Sequence, residues 1–248
     1  MRMVIGMVGA KGSGKDTCAA VLVKELGFKR VAFADKLYKE AADAYGVSVA
    51  FLGNRDTKET DLAALSLERC TNLHFVEVAL ETAVTSKPVR ASALSVLSGN
   101  GYLPHVSRRR ARQALKAARS PRWVLQLWGT EYRRKSKYGW DSYWLDVIRA
   151  LVNAEPEANF VITDVRFNNE GDYVELELGG VLYRTRRPAL EAREAAERAA
   201  KGRAAHPSET EMLNRKVSVE LVNREGMLDE LREQLLKAVH TVPLKKVA

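Results

Sequence analysis

Short apolar runs alternate with amphipathic stretches along most of the chain, a pattern typical of strands that alternate with helices. Helices are predicted over Thr17–Leu26, from Asp35 to Tyr45, from Asn168 to about Leu178, and over about Gly226–Val239. Asp35 and Asn168 are the predicted N-caps of the second and third of these helices. The pattern predicts an α/β fold with a doubly wound parallel five-stranded sheet flanked by helices, which binds ligands at the carboxyl ends of its strands. The predicted strands are Met3–Val8, Lys29–Ala34, Asn159–Val165, Gly180–Arg187 and Lys216–Val222.

Two regions depart from this alternation. Residues 46–119 have a mixed, mostly helical pattern and are predicted to be a helical insertion. Residues 189–205 are rich in Ala, Glu and Arg with weak amphipathicity, so a mobile lid and a packed helix both remain open. A chain of 248 residues with 46% hydrophobic side chains is long enough for one large domain, so we expect residues 1–248 to form a single domain.

Composition excludes several classes of protein. No apolar run approaches the roughly 18 residues of a membrane span, and the first residues do not resemble a signal peptide, so we expect a cytoplasmic protein with no membrane partner. Cys18, Cys70 and four scattered histidines form neither a disulfide framework nor a pattern of zinc ligands. Zinc and structural disulfides are therefore not expected.

The positive charge is concentrated in one segment. The formal net charge is +9, and residues 101–140 hold eleven Lys or Arg side chains against a single acid, Glu131. Such a segment is a DNA-binding patch, a phosphate-gripping helix and lid, or a solvated helix face. The motifs near this basic segment are needed to choose among these three interpretations.

A glycine-rich segment, Gly9–Thr17, follows the first predicted strand and opens the first predicted helix. Its sequence GAKGSGKDT nearly matches the phosphate-binding pattern G-x-x-x-x-G-K-[ST]. Backbone N–H groups of Gly12, Ser13 and Gly14 would surround phosphates, and Lys15 would reach the β and γ phosphates. Asp16 stands where the pattern has a hydroxyl, and Thr17 is displaced by one position; a carboxylate there can hold Mg²⁺. An ordinary glycine-rich turn is the alternative.

Three charged side chains lie at the end of the third predicted strand or just after it, beyond its apolar part Phe160–Thr163. Asp164 and Arg166 are two residues apart, so their side chains are expected on one side of the sheet's carboxyl edge. There Asp164 could hold Mg²⁺ and Arg166 could bind a phosphate with two hydrogen bonds. Glu170, in the first turn of the next helix, is equally well explained as a stabilising acid at a helix N-terminus or as a ligand.

A further helix is predicted to begin at Ser120, as N-cap, and Pro121. At 100° per residue its polar side chains form one stripe and its apolar ones another. The aromatic residues that follow it would stack on a base or pack in the core. The polar stripe comprises Arg122, Gln126, Gly129, Thr130 and Arg133, and the aromatic residues are Trp140, Tyr143 and Trp144.

Taken together, several segments resemble the deoxynucleoside monophosphate (dNMP) kinases of bacteriophages, which have a P-loop NTPase fold. The resemblance covers most of the chain outside about 46–119 and the Ala/Arg-rich stretch before His206. K-D-T in the loop, Q-x-x-G-T on the helix and D-V-R-x-x-x-E after the strand are its specific parts. The matching segments are GAKGSGKDT, FADKLYKE, SPRWVLQLWGTE, VITDVRFNNE, GGVLYRTRRP and HPSETEM.

The resemblance implies a role for each matching position. Lys15, Asp16, Arg122, Asp164 and Arg166 would be catalytic. ATP phosphates would bind at Gly12, Ser13, Gly14, Lys15, Asp16 and Thr17, and the metal at Asp16, Thr17 and Asp164. The dNMP would bind at Lys11, Arg122, Gln126, Gly129, Thr130, Trp144, Asp164, Arg166 and Glu170, with Arg55 and Lys58 as further monophosphate contacts.

The implied activity is transfer of the γ-phosphoryl group of ATP to a dNMP, giving dNDP and ADP, with ATP and Mg²⁺ as cofactors. The basic segment then suits phosphate steering better than duplex binding, because no groove-reading module is apparent, and we expect no nucleic-acid partner. The alternatives are a P-loop kinase of another small metabolite and a nucleotide-regulated nucleic-acid-binding protein. The pattern leaves a homodimer open.

Overall fold

The computed structural model describes residues 2–99, 105–201, 211–212 and 214–241. The chain divides into two compact units. The first, here the sheet unit, comprises residues 1–33 and 145–248, and the second, the helical unit, comprises residues 34–144. The organisation as one domain with an insertion at about 46–119 stays a prediction.

The sheet unit contains a parallel five-stranded sheet of order β2-β3-β1-β4-β5. The first strand lies at its centre, so the chain builds the sheet outward on both sides of β1. This doubly wound α/β sheet, with the glycine-rich loop between β1 and the first helix, is the predicted P-loop NTPase fold class, which is confirmed. The strands are β1 (Val4–Val8), β2 (Lys29–Val31), β3 (Phe160–Ile162), β4 (Val181–Arg186) and β5 (Val219–Val222).

Helices flank the sheet and make up most of the helical unit. Two of them, α7 and α9, continue directly into wider π-helical turns, Leu127–Lys135 and Tyr173–Glu177. No described helix is long and apolar enough to cross a bilayer. The helices are α1 (Lys15–Leu26), α2 (Phe33–Tyr45), α3 (Val49–Gly53), α4 (Leu73–Ala83), α5 (Lys87–Leu97), α6 (His105–Lys116), α7 (Pro121–Gln126), α8 (Tyr143–Ala154), α9 (Asn168–Asp172), α10 (Pro188–Lys201) and α11 (Leu228–Thr241).

The core of the sheet unit follows from the period of each element. Alternate residues of β1 point to one face, because successive strand side chains point to opposite faces. On α11 the buried residues recur at helical spacing and cover the same apolar layer. The layer includes Met3, which precedes β1, Ile5 and Met7 of β1, Cys18, Ala19 and Leu22 of α1, and Leu231, Leu235 and Ala238 of α11.

The helical unit has an aromatic core of its own. Phe75 of α4 and Trp128 stack with ring centroids 4.4 Å apart. Tyr132 meets both edge-on, at 5.8 Å from Phe75 and 5.2 Å from Trp128. Edge-to-face and offset rings are the favoured aromatic geometries, so this cluster stabilises the packing of the segment after α7 against α4.

Two of the three predicted N-caps, Asp35 and Asn168, were wrong. Helix α2 begins at Phe33, and its first N–H is taken by the Asp164 carboxylate (N···Oδ1 2.8 Å), so Asp35 lies inside the first turn. Helix α9 begins at Asn168, whose N–H donates to Glu211 (N···Oε1 2.7 Å). The first backbone N–H group of each of these two helices is therefore bound by an acid from a distant segment, and not by the side chain that the local pattern predicted as N-cap.

Part of the predicted lid lies in α10, which ends at Lys201. Its remainder, residues 202–205, and residues 206–210 of the HPSETEM segment lie outside the described residues.

Candidate functional site

The glycine-rich loop joins the end of β1 to the start of α1, and two of its glycines are required by their surroundings. Gly9 has φ 138°, and a Cβ there would lie 2.3 Å from the carbonyl oxygen of Thr185. Gly14 has φ 114°, and its Cβ would lie 2.8 Å from the amide nitrogen of Asn223. Side chains rarely tolerate either conformation, so the loop closes tightly only with glycine at both positions.

The loop is anchored to the ends of two other strands. The hydroxyl oxygens of Ser13 and Thr185, at the end of β4, lie 2.7 Å apart. The side-chain amide of Asn223, just after β5, donates to the carbonyl oxygen of Ser13 (2.9 Å). All three side chains are buried. Neither Thr185 nor Asn223 was predicted from the sequence, although Thr185 lies near the end of one predicted strand and Asn223 directly follows another.

Lys15 opens α1 and folds back over the loop. Its ammonium group donates to the carbonyl oxygens of Gly9 and Ala10, each at 2.6 Å. Burial, and then the charge of Arg166, lower the pKa of Lys15 from 10.5 to about 8, while Asp16 and Asp164 act in the opposite direction. The charges of Asp164 and Arg166, which follow β3, therefore influence the pKa of Lys15.

Asp164 and Arg166 follow β3, as predicted, and differ in exposure. Asp164 is buried and accepts the N–H of Phe33, whereas Arg166 is exposed. Glu170 is also buried, and its carboxylate accepts the backbone N–H groups of Arg166 (2.7 Å) and Phe167 (3.1 Å). The structure thus has Glu170 bracing the turn that presents Arg166, which agrees with the helix-N-terminus interpretation of this acid.

Oxygen donors suited to a hard cation occur in the sheet unit. Asp16 and Thr17 lie exposed in the first turn of α1, and Asp164 follows β3. No group of three or more His, Cys, Asp or Glu side chains in the described ranges is arranged to hold a metal ion. Mg²⁺ is usually held by one or two carboxylates together with substrate phosphates and water, so two carboxylates and a hydroxyl fit that ion.

In the helical unit, α7 begins as predicted, with the Ser120 hydroxyl accepting the N–H of Trp123 (3.2 Å). The 100° spacing does not hold along the predicted stripe, because π-helical turns replace the α-helix from Leu127. Arg122 and Gln126 are half-buried, while Gly129 and Thr130 are buried.

Gly129 and Trp144 are joined directly. The Trp144 indole N–H donates to the carbonyl oxygen of Gly129 (3.1 Å), and the indole is only 3% exposed. A Cβ on Gly129 would lie 3.4 Å from the Leu37 side chain of α2. The space that this glycine leaves open is therefore next to a leucine side chain. Trp144 therefore has the contacts of a packing residue, whereas Trp140 is 51% exposed.

The carboxylate of Glu40, which was not predicted from the sequence as a site residue, holds several side chains of the helical unit together. Glu40 of α2 accepts from the Trp128 indole (3.0 Å), from Arg133 (2.8 Å) and from the Tyr143 hydroxyl. The Glu40 side chain is 11% exposed. The sequence does not indicate this role, because a Glu within an amphipathic helix is commonly exposed to solvent.

The predicted monophosphate contacts of the helical unit lie around α7. The backbone N–H of Arg122 donates to the carbonyl oxygen of Lys58 (3.0 Å), and the Arg122 guanidinium pairs with Glu59. Lys58 donates to the Tyr38 hydroxyl (2.6 Å). Arg55 is exposed, as is Lys11 in the sheet unit.

The chain is similar over nearly its whole length to two viral proteins. It is 26% identical to deoxynucleoside-5'-monophosphate kinase of Escherichia phage T5 over 249 aligned residues, covering 94% of each chain. It is 27% identical to a putative deoxynucleotide monophosphate kinase of Acanthamoeba polyphaga mimivirus over 240, covering 96% of each. The resemblance seen in the motifs is thus confirmed, and both names support a phosphotransferase of the nucleotide-kinase type.

No protein-family model matches the chain. Among solved structures, TT1252 from Thermus thermophilus aligns over 98% of this chain and 99% of its own, with 19% identity and a TM-score of 0.39, a likeness on which nothing further rests.

Proposed function

We propose that the protein is a Mg²⁺-dependent dNMP kinase, which transfers the γ-phosphoryl group of ATP to a dNMP and produces dNDP and ADP. One observation carries the proposal: the loop Gly9–Thr17, with Lys15 folded over it, opens α1 at the carboxyl end of the central strand. The near full-length similarity to two proteins named for this activity supports the choice of acceptor.

The loop and the start of α1 bind the ATP phosphates. Backbone N–H groups of Gly12, Ser13 and Gly14, with the partial positive charge of the helix N-terminus, attract the phosphate oxygens. The Lys15 ammonium, which donates to two loop carbonyls, exchanges these acceptors for oxygens of the β and γ phosphates. A bound polyphosphate favours the charged lysine.

Asp16, Thr17 and Asp164 are the residues that hold Mg²⁺, directly or through water. When bound, the ion offsets negative charge that develops on the phosphate oxygens. Asp16 in place of a hydroxyl gives this loop one more negative charge, which disfavours phosphate binding unless a cation lies between them.

In the helical unit, side chains of α7 and of the turns that follow it bind the acceptor. Arg122 is suited to grip a monophosphate, because its exposed partner Glu59 is readily exchanged for a phosphate oxygen. Gln126 and Thr130 provide hydrogen bonds, and Gly129 and Trp144 keep the helix in place through their mutual contact. In the sheet unit, Lys11 and Arg166 are suited to bind phosphate, and Glu170 braces Arg166.

The reaction is an in-line displacement. An oxygen of the acceptor's phosphate attacks the γ phosphorus, a new P–O bond forms, and the bond to the β–γ bridging oxygen breaks as ADP leaves with its electron pair. The acceptor phosphate is ionised near neutral pH, so no strong general base is required. In the sheet unit, Lys15 and Arg166 offset the charge on the transferred group, and catalysis is by positioning and charge stabilisation.

The test is an assay in which ADP release from ATP is coupled to an optical signal, with dAMP, dGMP, dTMP and dCMP as separate acceptors. We expect Mg²⁺-dependent ADP release with at least one of them. Turnover confined to another small-metabolite acceptor would support the alternative kinase, and no turnover with any dNMP, despite bound ATP, would overturn the proposal.

A further inference from the structure

A short segment of the sheet unit forms hydrogen bonds with both β4 and the start of α9. It comprises residues 211–212 and 214–215, shortly before β5, and is here the return segment. The guanidinium of Arg184, on β4, donates to the carbonyl oxygens of Met212 (2.8 Å) and Arg215. Met212 is also buried. The return segment is therefore fixed to the sheet.

Both backbone groups of Asn168, the first residue of α9, are bonded to the return segment. The Asn168 N–H donates to the carboxylate of Glu211 (2.7 Å), and its carbonyl oxygen accepts from the Arg215 guanidinium (2.9 Å). Asn168 lies two residues after Arg166, whose own N–H donates to Glu170 (2.7 Å). The turn that presents Arg166 is therefore held by Glu170 at Arg166 and by the return segment at Asn168.

Arg215 makes most of these contacts with α9 and its π-helical continuation. Besides Asn168, its guanidinium donates to the carboxylates of Asp172 (2.7 Å) and Glu175 (2.6 Å). A Cβ on Gly171 would lie 2.8 Å from Cζ of Arg215, so the guanidinium comes this close only because the residue is glycine. The Arg215 side chain is 16% exposed, and its rigid fork of N–H donors can hold three acceptors in one geometry. Unlike an exposed ion pair, such a contact set can fix the position of a turn.

We propose that Arg215 is a positioning residue for phosphoryl transfer: through Asn168 it holds the turn after β3, so that Arg166 meets the transferred group. The inference rests on the proposed function, which assigns that group to Arg166. Because the Arg166 side chain is exposed and long, its direction depends on how firmly its backbone is held. A displacement of about 1 Å in such a group can lower a rate by about a hundredfold. Arg215 thus acts on the reaction through Arg166, without touching the substrate itself.

A double-mutant cycle between Arg166 and Arg215 tests this role. Arg215→Met removes the guanidinium and keeps an apolar stem, and it is compared with Arg166→Ala and with the double variant. Arg149→Met is the matched control, because Arg149 also pairs with two carboxylates, one of them Glu177 (2.7 Å), at the far end of the same π-helical turns. For each protein kcat and KM for ATP are measured with the best acceptor among the four dNMPs.

Hydrogen exchange, followed by mass spectrometry, gives a second measurement that does not depend on turnover. The backbone N–H groups of Arg166 and Phe167 both donate to Glu170, so their exchange reports how often this turn opens. If Arg215 holds the turn, exchange in the peptide that contains them should be faster in Arg215→Met than in the wild type. It should be unchanged in Arg149→Met.

We expect Arg215→Met to lower kcat by about tenfold with little change in KM for ATP, because Arg166 acts on charge that develops during transfer. In the Arg166→Ala background the same change should lower kcat by less than about twofold further, since the arginine through which it acts is gone. The control should keep the wild-type kcat. A purely structural role would instead lower kcat by the same factor in both backgrounds.

An equal loss of kcat in both backgrounds, or unchanged exchange at Arg166 and Phe167, would overturn the proposal. If Arg215→Met does not fold, Glu211→Ala takes its place: Glu211 is exposed and makes the other bond to Asn168, so the same pattern is expected with a smaller effect. If the wild type turns over only another small metabolite, the dNMP assignment fails, and the cycle with that acceptor still decides the role of Arg215. A wild type with no phosphotransferase activity would overturn both.

Discussion

Asp16 replaces the hydroxyl of the general phosphate-loop pattern, and its carboxylate is exposed in the first turn of α1. We expect Asp16→Asn to reduce Mg²⁺-dependent turnover by about tenfold or more, because a metal ligand is lost. ATP binding should change much less, since the loop N–H groups and Lys15 remain. Steady-state kinetics over a range of Mg²⁺ concentrations, with ATP affinity from calorimetry, measure both; an equal loss of the two would point to a folding defect.

Lys15 makes the pH dependence testable. Its pKa is lowered to about 8, so in the free enzyme the ammonium group that meets the phosphates is lost above that pH. The value of kcat/KM for ATP should therefore be level below about pH 8 and fall as pH rises, because this ratio reports ionisations of the free enzyme.

The control is Lys15→Arg, whose guanidinium stays charged, so its lower kcat/KM should stay level through the same range. A wild-type profile that is level well above pH 8 would contradict the expectation. Stability should move in the other direction: between about 8 and 10.5 the unfolded chain binds more protons at Lys15 than the folded protein, so this group stabilises the fold as pH rises.

At the scale of elements, Glu40 ties α2 to the π-helical segment and to the start of α8 through three donors. We expect Glu40→Gln to lower the free energy of unfolding by roughly 2 kcal/mol, because Arg133, itself largely buried, loses a charged acceptor. Chemical denaturation measures this difference. Glu81→Gln, on an exposed position of α4, is the control and should change stability by less than about 0.5 kcal/mol.

Local pattern predicted the elements better than their ends. The five strands and the glycine loop were visible because β-branched runs and a phosphate-binding motif are local signals. The start of α2 was not, since its first N–H is satisfied by Asp164, about 130 residues away. The π-helical turns after Gln126 were missed for a similar reason: their wider winding depends on tertiary packing, and no local pattern signals it.

The candidate site was predictable only in part. Lys15 and Asp164, which we propose as a phosphate contact and a Mg²⁺ ligand, have a recognisable spacing. Side chains that hold others in place do not: Thr185 and Asn223 anchor the loop through Ser13, and either would be an ordinary polar residue at a strand end. Trp144, expected in the acceptor pocket, is buried with its indole N–H on the Gly129 carbonyl, and its role in binding stays a prediction.

At the scale of the whole molecule, charge is divided unevenly. The helical unit carries 18 Lys or Arg and 11 Asp or Glu side chains, a net +7 of the chain's +9. From Arg119 onward the basic side chains of residues 101–140 contact acids or rings, as in the pairs Arg133–Glu40 and Lys137–Glu77. Helix α6 instead exposes Arg109, Arg110 and Arg112.

That helix is where nucleic-acid binding would occur. For a dNMP kinase we expect only weak binding of duplex DNA at about 150 mM salt, measured by fluorescence anisotropy. Replacing Arg109, Arg110 and Arg112 together by Gln should leave dNMP turnover unchanged. Tight, steeply salt-dependent binding that this triple variant removes would favour the nucleic-acid-binding alternative.

The bond between the Asn223 side chain and the Ser13 carbonyl joins positions 210 residues apart. The ribosome adds Ser13 to the chain 210 residues before Asn223. At about 5 to 20 residues per second, roughly 10 to 40 seconds separate the two. The nascent chain therefore carries its phosphate loop without the Asn223 bond while these residues are made, and the loop gains this second anchor only when β5 joins the sheet.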